Sequence, residues 1–164
     1  MVRMGICLSL FLLVLACGQA PSSQLEEAEA SSEALRYDSL KAVQLGADDY
    51  GMKTYVMAFL KKGANRDIPT KEAAELQAAH LENITRLAEE GKLILAGPFL
   101  GKGELRGIYI FDTPSIEEAE ALTATDPAIE AGSLAMDLRQ WYGSAALSEL
   151  NAIHETIQKV GITE

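Results

Sequence analysis

Two side chains, His80 and Asp126, have the types and the settings from which acid–base chemistry is built. His80 stands in an apolar stripe between Leu76 and Ile84, which predicts the inward face of a helix. Asp126 precedes Pro127 in a segment that is expected to be irregular. A carboxylate bonded to one imidazole nitrogen would fix the tautomer and make the other nitrogen a general base. The spacing alone is more typical of a core histidine bonded to a backbone carbonyl, and the position of Asp126 also fits an aspartate that caps a turn.

The elements that must position these side chains are indicated by apolar periodicity. The pattern predicts four strands, at 54–61, 92–96, 106–111 and 133–142. It predicts three helices, at 72–90, 115–123 and 145–158. Gly91 is typical of a residue that ends a helix, and Ser115 with Glu118 forms a capping box that opens one. The first strand is apolar on both faces, so both of its faces must be covered.

The predicted order is βαββαβ followed by an extra C-terminal helix, which is an α+β, ferredoxin-like arrangement. Its four-stranded antiparallel sheet would carry both crossover helices on one face. The other face remains apolar and needs a cover, because large apolar patches are rarely left in water. We therefore expect a homodimer in which two copies pack sheet against sheet.

The chain begins with an apolar run behind Arg3 that is too short to span a membrane and fits a signal peptide, residues 1–16. It closes on Val14-Leu15-Ala16-Cys17, which resembles the lipobox of bacterial lipoproteins. That resemblance implies lipidation at Cys17 in the cell envelope. Gly18, where an Asp would favour the inner membrane, favours the outer membrane facing the periplasm. An ordinary secretory signal with a coincidental Cys is the alternative.

Composition divides the remaining chain into three parts. Residues 17–52 are rich in Ser, Ala and Glu and predict an acidic tether, partly helical around 24–45. Residues 53–143 form the predicted domain, and residues 144–164 a C-terminal helical extension.

Charge and cysteine content exclude several classes of function. The chain has 14 Lys and Arg against 24 Asp and Glu; removing Arg3 with the signal leaves 13 against 24, or −11. No cation cluster suited to nucleic acid is visible, which argues against a nucleic-acid partner. The negative net charge also argues against adhesion to anionic lipid, so membrane attachment would rest on the lipid anchor alone. One of the two cysteines leaves with the signal and Cys17 takes the lipid, which excludes a disulfide. The spacing of the two histidines indicates no metal site, and no motif indicates a cofactor.

Several ordered segments resemble YciI-related proteins of the dimeric α/β-barrel superfamily. They are A-H-L-E-N-I at 79–84, E-E-G-K-L-I-L-A-G-P-F at 89–99, E-E-A-E-A-L at 117–122, T-D-P-A-I-E-A-G at 125–132 and R-Q-W-Y at 139–142. The resemblance implies a ferredoxin-like dimer with a cleft between the sheet and the first helix. It also implies that His80 and Asp126 line that cleft as a pair.

Other candidates for the cleft are cationic, flexible or aromatic. The family commonly has an Arg where this chain has Gln77, so Arg66 or Arg106 is expected to supply a cation instead. Gly97 and Pro98 would let a ligand approach the backbone closely. The aromatic residues Tyr109, Trp141 and Tyr142 are candidates for a wall but are more typical of a core or an interface, and His154 is expected at the surface or facing the dimer partner.

These features favour a lipid-anchored isomerase or lyase in which His80, oriented by Asp126, shifts a proton on a small organic acid without metal or flavin. Two alternatives remain open. One is a non-catalytic module that binds a small ligand in the same cleft, and the other is a structural envelope lipoprotein. Replacing His80 by Ala separates the first two, because it abolishes turnover in an enzyme and only weakens binding in a binding module.

Overall fold

The computed structural model describes residues 36–163. The chain divides into Met1–Tyr37 and Asp38–Glu164, and the fold described below is that of the second unit. The predicted signal peptide, Cys17 and most of the predicted tether lie outside the described residues. Within residues 36–163, no helix combines the length and the apolar composition needed to cross a membrane.

A four-stranded antiparallel sheet forms the centre of the fold. Its strands are β1 (Met52–Lys62), β2 (Leu93–Pro98), β3 (Leu105–Phe111) and β4 (Leu134–Ser144), in the spatial order β2-β3-β1-β4. The helices are α1 (Ser39–Leu45), α2 (Thr70–Glu89), α3 (Ile116–Thr123), the short α4 (Pro127–Glu130) and α5 (Leu150–Ile157), with a 3₁₀ helix at Ala145–Glu149 before α5. The predicted α+β, ferredoxin-like fold is confirmed, with α2 and α3 as the two crossover helices.

The main core lies between the sheet and the two crossover helices. Val56, Ala58 and Leu60 alternate along β1 toward this side because successive strand residues point to opposite faces. They pack with residues of the two crossover helices and of the strands β2 and β3, namely Leu87, Ala119, Leu93, Tyr109 and Phe111. This packing holds α2 against the sheet and so sets the depth of His80.

The opposite face of the sheet is partly covered by the chain's own C-terminal segment. Tyr55, Ile94 and Ile110 are buried there under Leu147 and Leu150. The extension after β4 therefore does some of the covering for which a partner subunit was expected. Met57, Phe59 and Ile108 on the same face remain partly exposed.

Helix ends follow the local signals, with one rearrangement. Gly91 has φ +68°, a conformation that glycine adopts without a steric penalty. The Ser115 hydroxyl accepts the Glu118 N–H at 3.1 Å, as a capping box requires. In a capping box the Glu118 side chain would also accept the Ser115 N–H directly. Here the Thr113 hydroxyl accepts that N–H and donates to the Glu118 carboxylate, so Thr113 links the two groups.

The folded unit starts upstream of the predicted boundary at residue 53. Lys41 in α1 pairs with Glu149 at 2.8 Å, and the Tyr142 hydroxyl donates to the Asp48 carboxylate. Residues 38–52 are thus attached to the C-terminal part of the domain.

Candidate active site

His80 and Asp126 meet at the buried side of α2. The Nδ1 atom of His80 lies 2.7 Å from Oδ2 of Asp126. Both residues are buried, with relative exposures of 7% and 1%. A buried imidazole beside a carboxylate donates through Nδ1–H, which leaves Nε2 as the acceptor.

The second oxygen of Asp126 begins a helix. Oδ1 accepts the Ala128 N–H at 2.9 Å, so Asp126 is the N-cap of α4, with Pro127 at the first helical position. The cap and the histidine partner are therefore one residue. The partner of His80 is this carboxylate and not the backbone carbonyl that the alternative interpretation required.

Tyr109 completes a chain of three polar groups. Its hydroxyl lies 3.3 Å from Nε2 of His80, and it is 2% exposed. With Nδ1 protonated, the tyrosine donates to Nε2. Burial, and secondly the charge of Asp126, raise the pKa of Tyr109 above its ordinary value of 10.0. The phenol therefore stays protonated, and can donate a hydrogen bond, throughout the physiological range.

Two of these groups, His80 and Tyr109, border a cavity of about 760 Å³ between α2 and the sheet. Asp126, which was expected to line this cleft with His80, is not among its lining residues and reaches it only through the imidazole. His80, Tyr109, Gly97 and Pro98 all line it. Its apolar wall is made by side chains from α2, the sheet and the C-terminal end, namely Leu60, Leu76, Ile84, Leu134 and Ile162. Such a volume lies in the range of about 300–1,000 Å³ that is usual for sites of small-molecule ligands.

Both predicted cations, Arg66 and Arg106, line the same cavity. Arg66 lies in the loop after β1 and donates to the Ser133 carbonyl at 3.1 Å. Arg106 lies at an irregularity in the pairing of β1 with β3, where Leu60 faces Gly107 and Lys61 faces Leu105. A bulge of this kind interrupts strand alternation and redirects a side chain.

Gly97 contributes backbone to the cavity. It faces Ile108 across the sheet, whereas its neighbour Ala96 faces Tyr109. A Cβ placed on Gly97 would meet no atom within 4 Å. Gln77, at the position where the family commonly carries an Arg, also lines the cavity.

Several aromatic and titratable candidates lie away from the cavity. Trp141 stacks on Tyr55 at a centroid distance of 6.0 Å, Tyr142 bonds Asp48, and His154 is exposed on α5. Cys17 lies outside the described residues.

From the sequence, Tyr109 was one of three aromatic candidates for a cavity wall, and of the three it alone lines the cavity; its contact with His80 and two lysines were missed. Lys62 and Lys102 line the cavity beside Arg106. The position of Tyr109 follows from its pairing with Ala58 and Ala96 on the helix side of the sheet, which single-chain periodicity does not provide. Within the described residues, no group of three His, Cys, Asp or Glu side chains is arranged to hold a metal ion.

Comparison with known proteins decides the family. The model of the YCII-related domain matches residues 53–141. The chain belongs to the YCII-related domain family. The match extends from β1 through most of β4, so it contains His80, Tyr109 and Asp126, while the 3₁₀ helix and α5 follow it.

One relative and one solved structure are similar to part of this chain. The uncharacterized protein YjpA of Bacillus subtilis (strain 168) is 30% identical over 90 residues, which cover 55% of this chain and 95% of YjpA. The 5-chloro-2-hydroxyhydroquinone dehydrochlorinase TftG from Burkholderia phenoliruptrix AC1100, in complex with 2,5-dihydroxybenzoquinone, has 24% sequence identity. Its alignment covers 52% of this chain and 92% of TftG, with a TM-score of 0.40.

Proposed function

We propose that this protein is a YCII-related acid–base enzyme of the isomerase or lyase type, which moves a proton on a small organic acid. His80 is the general base and acid, Asp126 orients it, and the ligand occupies the cavity beside Gly97, Pro98, Arg66 and Arg106. The observation that carries this proposal is the 2.7 Å bond between His80 and the buried Asp126, at the wall of a 760 Å³ cavity.

The route of the proton follows from the hydrogen bonds that His80 makes. Nε2 of neutral His80 takes a proton from a carbon or hydroxyl group of the ligand, and the imidazolium that forms is stabilised by Asp126. The same nitrogen then returns the proton to a different ligand atom in an isomerisation, or to a departing group in an elimination. The proton balance closes without a metal ion or a redox cofactor.

Tyr109 stands between the base and the ligand. Its hydroxyl donates to Nε2 at rest. A ligand oxygen that enters the cavity competes for this donor, and the raised pKa of Tyr109 keeps the phenol protonated so that it can stabilise a developing oxyanion. Turning from Nε2 to the ligand also releases the base.

Deuterium exchange tests the proposal without knowledge of the product. A panel of cyclic and aromatic organic acids with a C–H bond next to a carbonyl group is incubated with the protein in D₂O, and loss of C–H signals is followed by proton NMR. We expect exchange with at least one acid, abolished by His80→Gln and unchanged by His154→Gln, which alters the exposed histidine of α5.

The other outcomes identify the alternative functions. Ligands that bind without exchange, and that His80→Gln only weakens, would make the protein a binding module. Absence of any ligand, with a double replacement of His80 and Asp126 that affects stability alone, would make it a structural lipoprotein.

The envelope setting is part of the proposal. We infer a lipid anchor on Cys17, export, and location at the outer membrane facing the periplasm. The support is the lipobox Val14-Leu15-Ala16-Cys17. Mass spectrometry of the membrane-extracted protein should give the mass of an acylated chain that begins at Cys17, and Cys17→Ser should abolish both acylation and membrane association.

A homodimer through the sheet face completes the proposal. Its support is the partly exposed apolar surface of Met57, Phe59 and Ile108, which the C-terminal segment leaves uncovered. Removing that surface from water favours association at about 25 cal/mol per Å² of apolar area.

A further inference from the structure

Four cationic side chains surround one end of the cavity. They are Lys62, Arg66, Lys102 and Arg106, which we name the cation rim. They come from three segments: the end of β1, the loop that follows it, and the β2–β3 turn with the start of β3.

The charge of this rim contrasts with the rest of the chain. Acidic residues outnumber basic ones by 24 to 14 in the chain, yet within residues 36–163 no Asp or Glu lines the cavity. A concave surface lined by one sign of charge concentrates ligands of the opposite sign. The contrast points to an anion as the occupant.

The rim charges are little neutralised within the protein. Of the four rim side chains, only Lys62 has a carboxylate partner among residues 36–163, namely Glu104 at 4.0 Å. Arg66 and Arg106 each use Nη1 on a backbone carbonyl, at 3.1 Å and 3.4 Å. A guanidinium carries five N–H donors, so most of them are available to carboxylate or phosphate oxygens.

The cavity also has an apolar stretch next to the rim. Leu76 and Ile84 of α2 line it together with Leu60 and Leu134 of the sheet. His80 lies on α2 between Leu76 and Ile84, four residues from each. A ligand with a single carboxylate would use one or two of the four rim cations and leave the others without a counter-ion. The volume of 760 Å³ accommodates a longer molecule.

We propose that the cation rim is a subsite for an organic dianion, a ligand with an apolar cyclic body and two negative charges at the rim end. This inference rests on the proposed function for the position of the reacting atoms, and it names the class of acid on which His80 acts. The dianion is either a dicarboxylate or a phosphate monoester, since both present paired oxyanions to Arg and Lys.

Three probes with one naphthalene body test the subsite. They are 1-naphthyl phosphate, 2,3-naphthalenedicarboxylate and the monoanion 1-naphthalenesulfonate. Binding to the full chain is measured by calorimetry at pH 8 and low salt, where a phosphate monoester with a second pKa of about 6 is a dianion. We expect at least one dianion to bind about tenfold more tightly than the sulfonate, because a second charge adds a Coulombic attraction.

Rim variants locate the preference. Lys102→Gln and Arg106→Gln should each weaken the dianion by about three- to tenfold and the sulfonate by less. Lys41→Gln, which removes the same charge at α1, should leave both affinities unchanged. The preference should also decline as salt is added. A preference for the phosphate or for the dicarboxylate distinguishes the two sources.

Equal affinities for monoanion and dianion, rim variants without effect, or no binding by any probe would each overturn the subsite. Its failure is distinct from that of the proposed function. The dianion preference should persist in His80→Gln, whereas deuterium exchange should not. A dianion preference without exchange would keep the subsite and remove the enzyme.

Discussion

The carboxylate of Asp126 binds His80 and caps a helix at the same time. Oδ2 lies 2.7 Å from Nδ1 of the imidazole, and Oδ1 accepts the Ala128 N–H at 2.9 Å. Because each oxygen has its own partner, neither interaction has to be broken for the other to form. The start of α4 therefore fixes the carboxylate, and the carboxylate fixes the tautomer of the histidine.

Replacing Asp126 should separate these two interactions. Asp126→Ala loses the cap and leaves a buried imidazole N–H without a partner, so we expect a loss of about 2–4 kcal/mol in urea denaturation. Asp126→Asn keeps a capping oxygen and should lose less. Its amide N–H would donate to Nδ1 and move the imidazole proton to Nε2, a change that nitrogen NMR of the ring detects.

Deuterium exchange should then be abolished in Asp126→Asn despite the retained fold. Equal stability losses in the two variants would contradict the double interaction. An unchanged tautomer would contradict the orienting part assigned to Asp126.

Tyr109 carries the second prediction. Its raised pKa means that the folded protein keeps the phenol proton above pH 10, while the unfolded chain releases it. The contribution of Tyr109 to stability is therefore complete below pH 10 and falls as the pH rises above it. Tyr109→Phe should remove this part of the alkaline loss, which denaturation at pH 8 and pH 10.5 measures.

The same variant should remove deuterium exchange with a change in stability at pH 8 of no more than about 1.5 kcal/mol. Identical alkaline behaviour in the two proteins would contradict the raised pKa. Full exchange activity in Tyr109→Phe would remove the phenol from the mechanism.

Periodicity predicted the fold because each crossover helix and each strand has a regular apolar pattern. The stripe that contains Leu76, His80 and Ile84 predicted the face of α2 that borders the sheet and the cavity. What periodicity could not predict is the long-range register. Tyr109 joins His80 only because β3 pairs with β1 in one register, Ala58 opposite Tyr109.

Two local features also escaped the sequence. The helix α4 has four residues, too few to show an apolar periodicity. Its one sequence signal is the pair Asp126 and Pro127, which is typical of a helix start. The bulge beside Arg106 has no pattern of its own, because the irregularity belongs to the pairing of two strands. The lysines of the cation rim were therefore not recognised as neighbours of Arg106.

A larger side chain at Ala96 of β2 should block binding in the cavity. Ala96 faces Tyr109 across the sheet, is exposed, and lines the cavity. Ala96→Phe adds a ring at this wall, so we expect at least about a tenfold loss of affinity for the naphthalene probes, equivalent to 1.4 kcal/mol. Ala121→Phe, on the exposed side of α3, is the matched control. Unchanged affinity in Ala96→Phe would mean that the probes bind elsewhere.

The dimer should depend on the exposed part of the sheet. Phe59→Glu introduces a charge into the surface that Met57 and Ile108 share, and burying an unpaired charge between two copies is strongly unfavourable. Sedimentation velocity should give a dimer for the parent chain and a monomer for Phe59→Glu. Ala78→Glu, exposed on α2, carries the same charge change and should remain dimeric. A monomeric parent chain would leave the sheet face without its proposed partner.

The attachment of residues 38–52 to the domain should depend on pH through Asp48. Bonds from the Tyr142 hydroxyl, first, and then from the Met52 N–H hold the pKa of Asp48 below its ordinary value of 3.8. A lowered pKa in the folded state stabilises it above about pH 3.8, and that contribution is lost as the pH falls through the lowered value. Tyr142→Phe should raise the pKa of Asp48 toward 3.8 in a carbon NMR titration of the carboxyl group. Amide exchange of α1 should become faster in this variant at pH 7 and differ least from the parent chain in acid, where Asp48 is protonated in both proteins. An unchanged titration would show that the backbone donors alone hold the carboxylate.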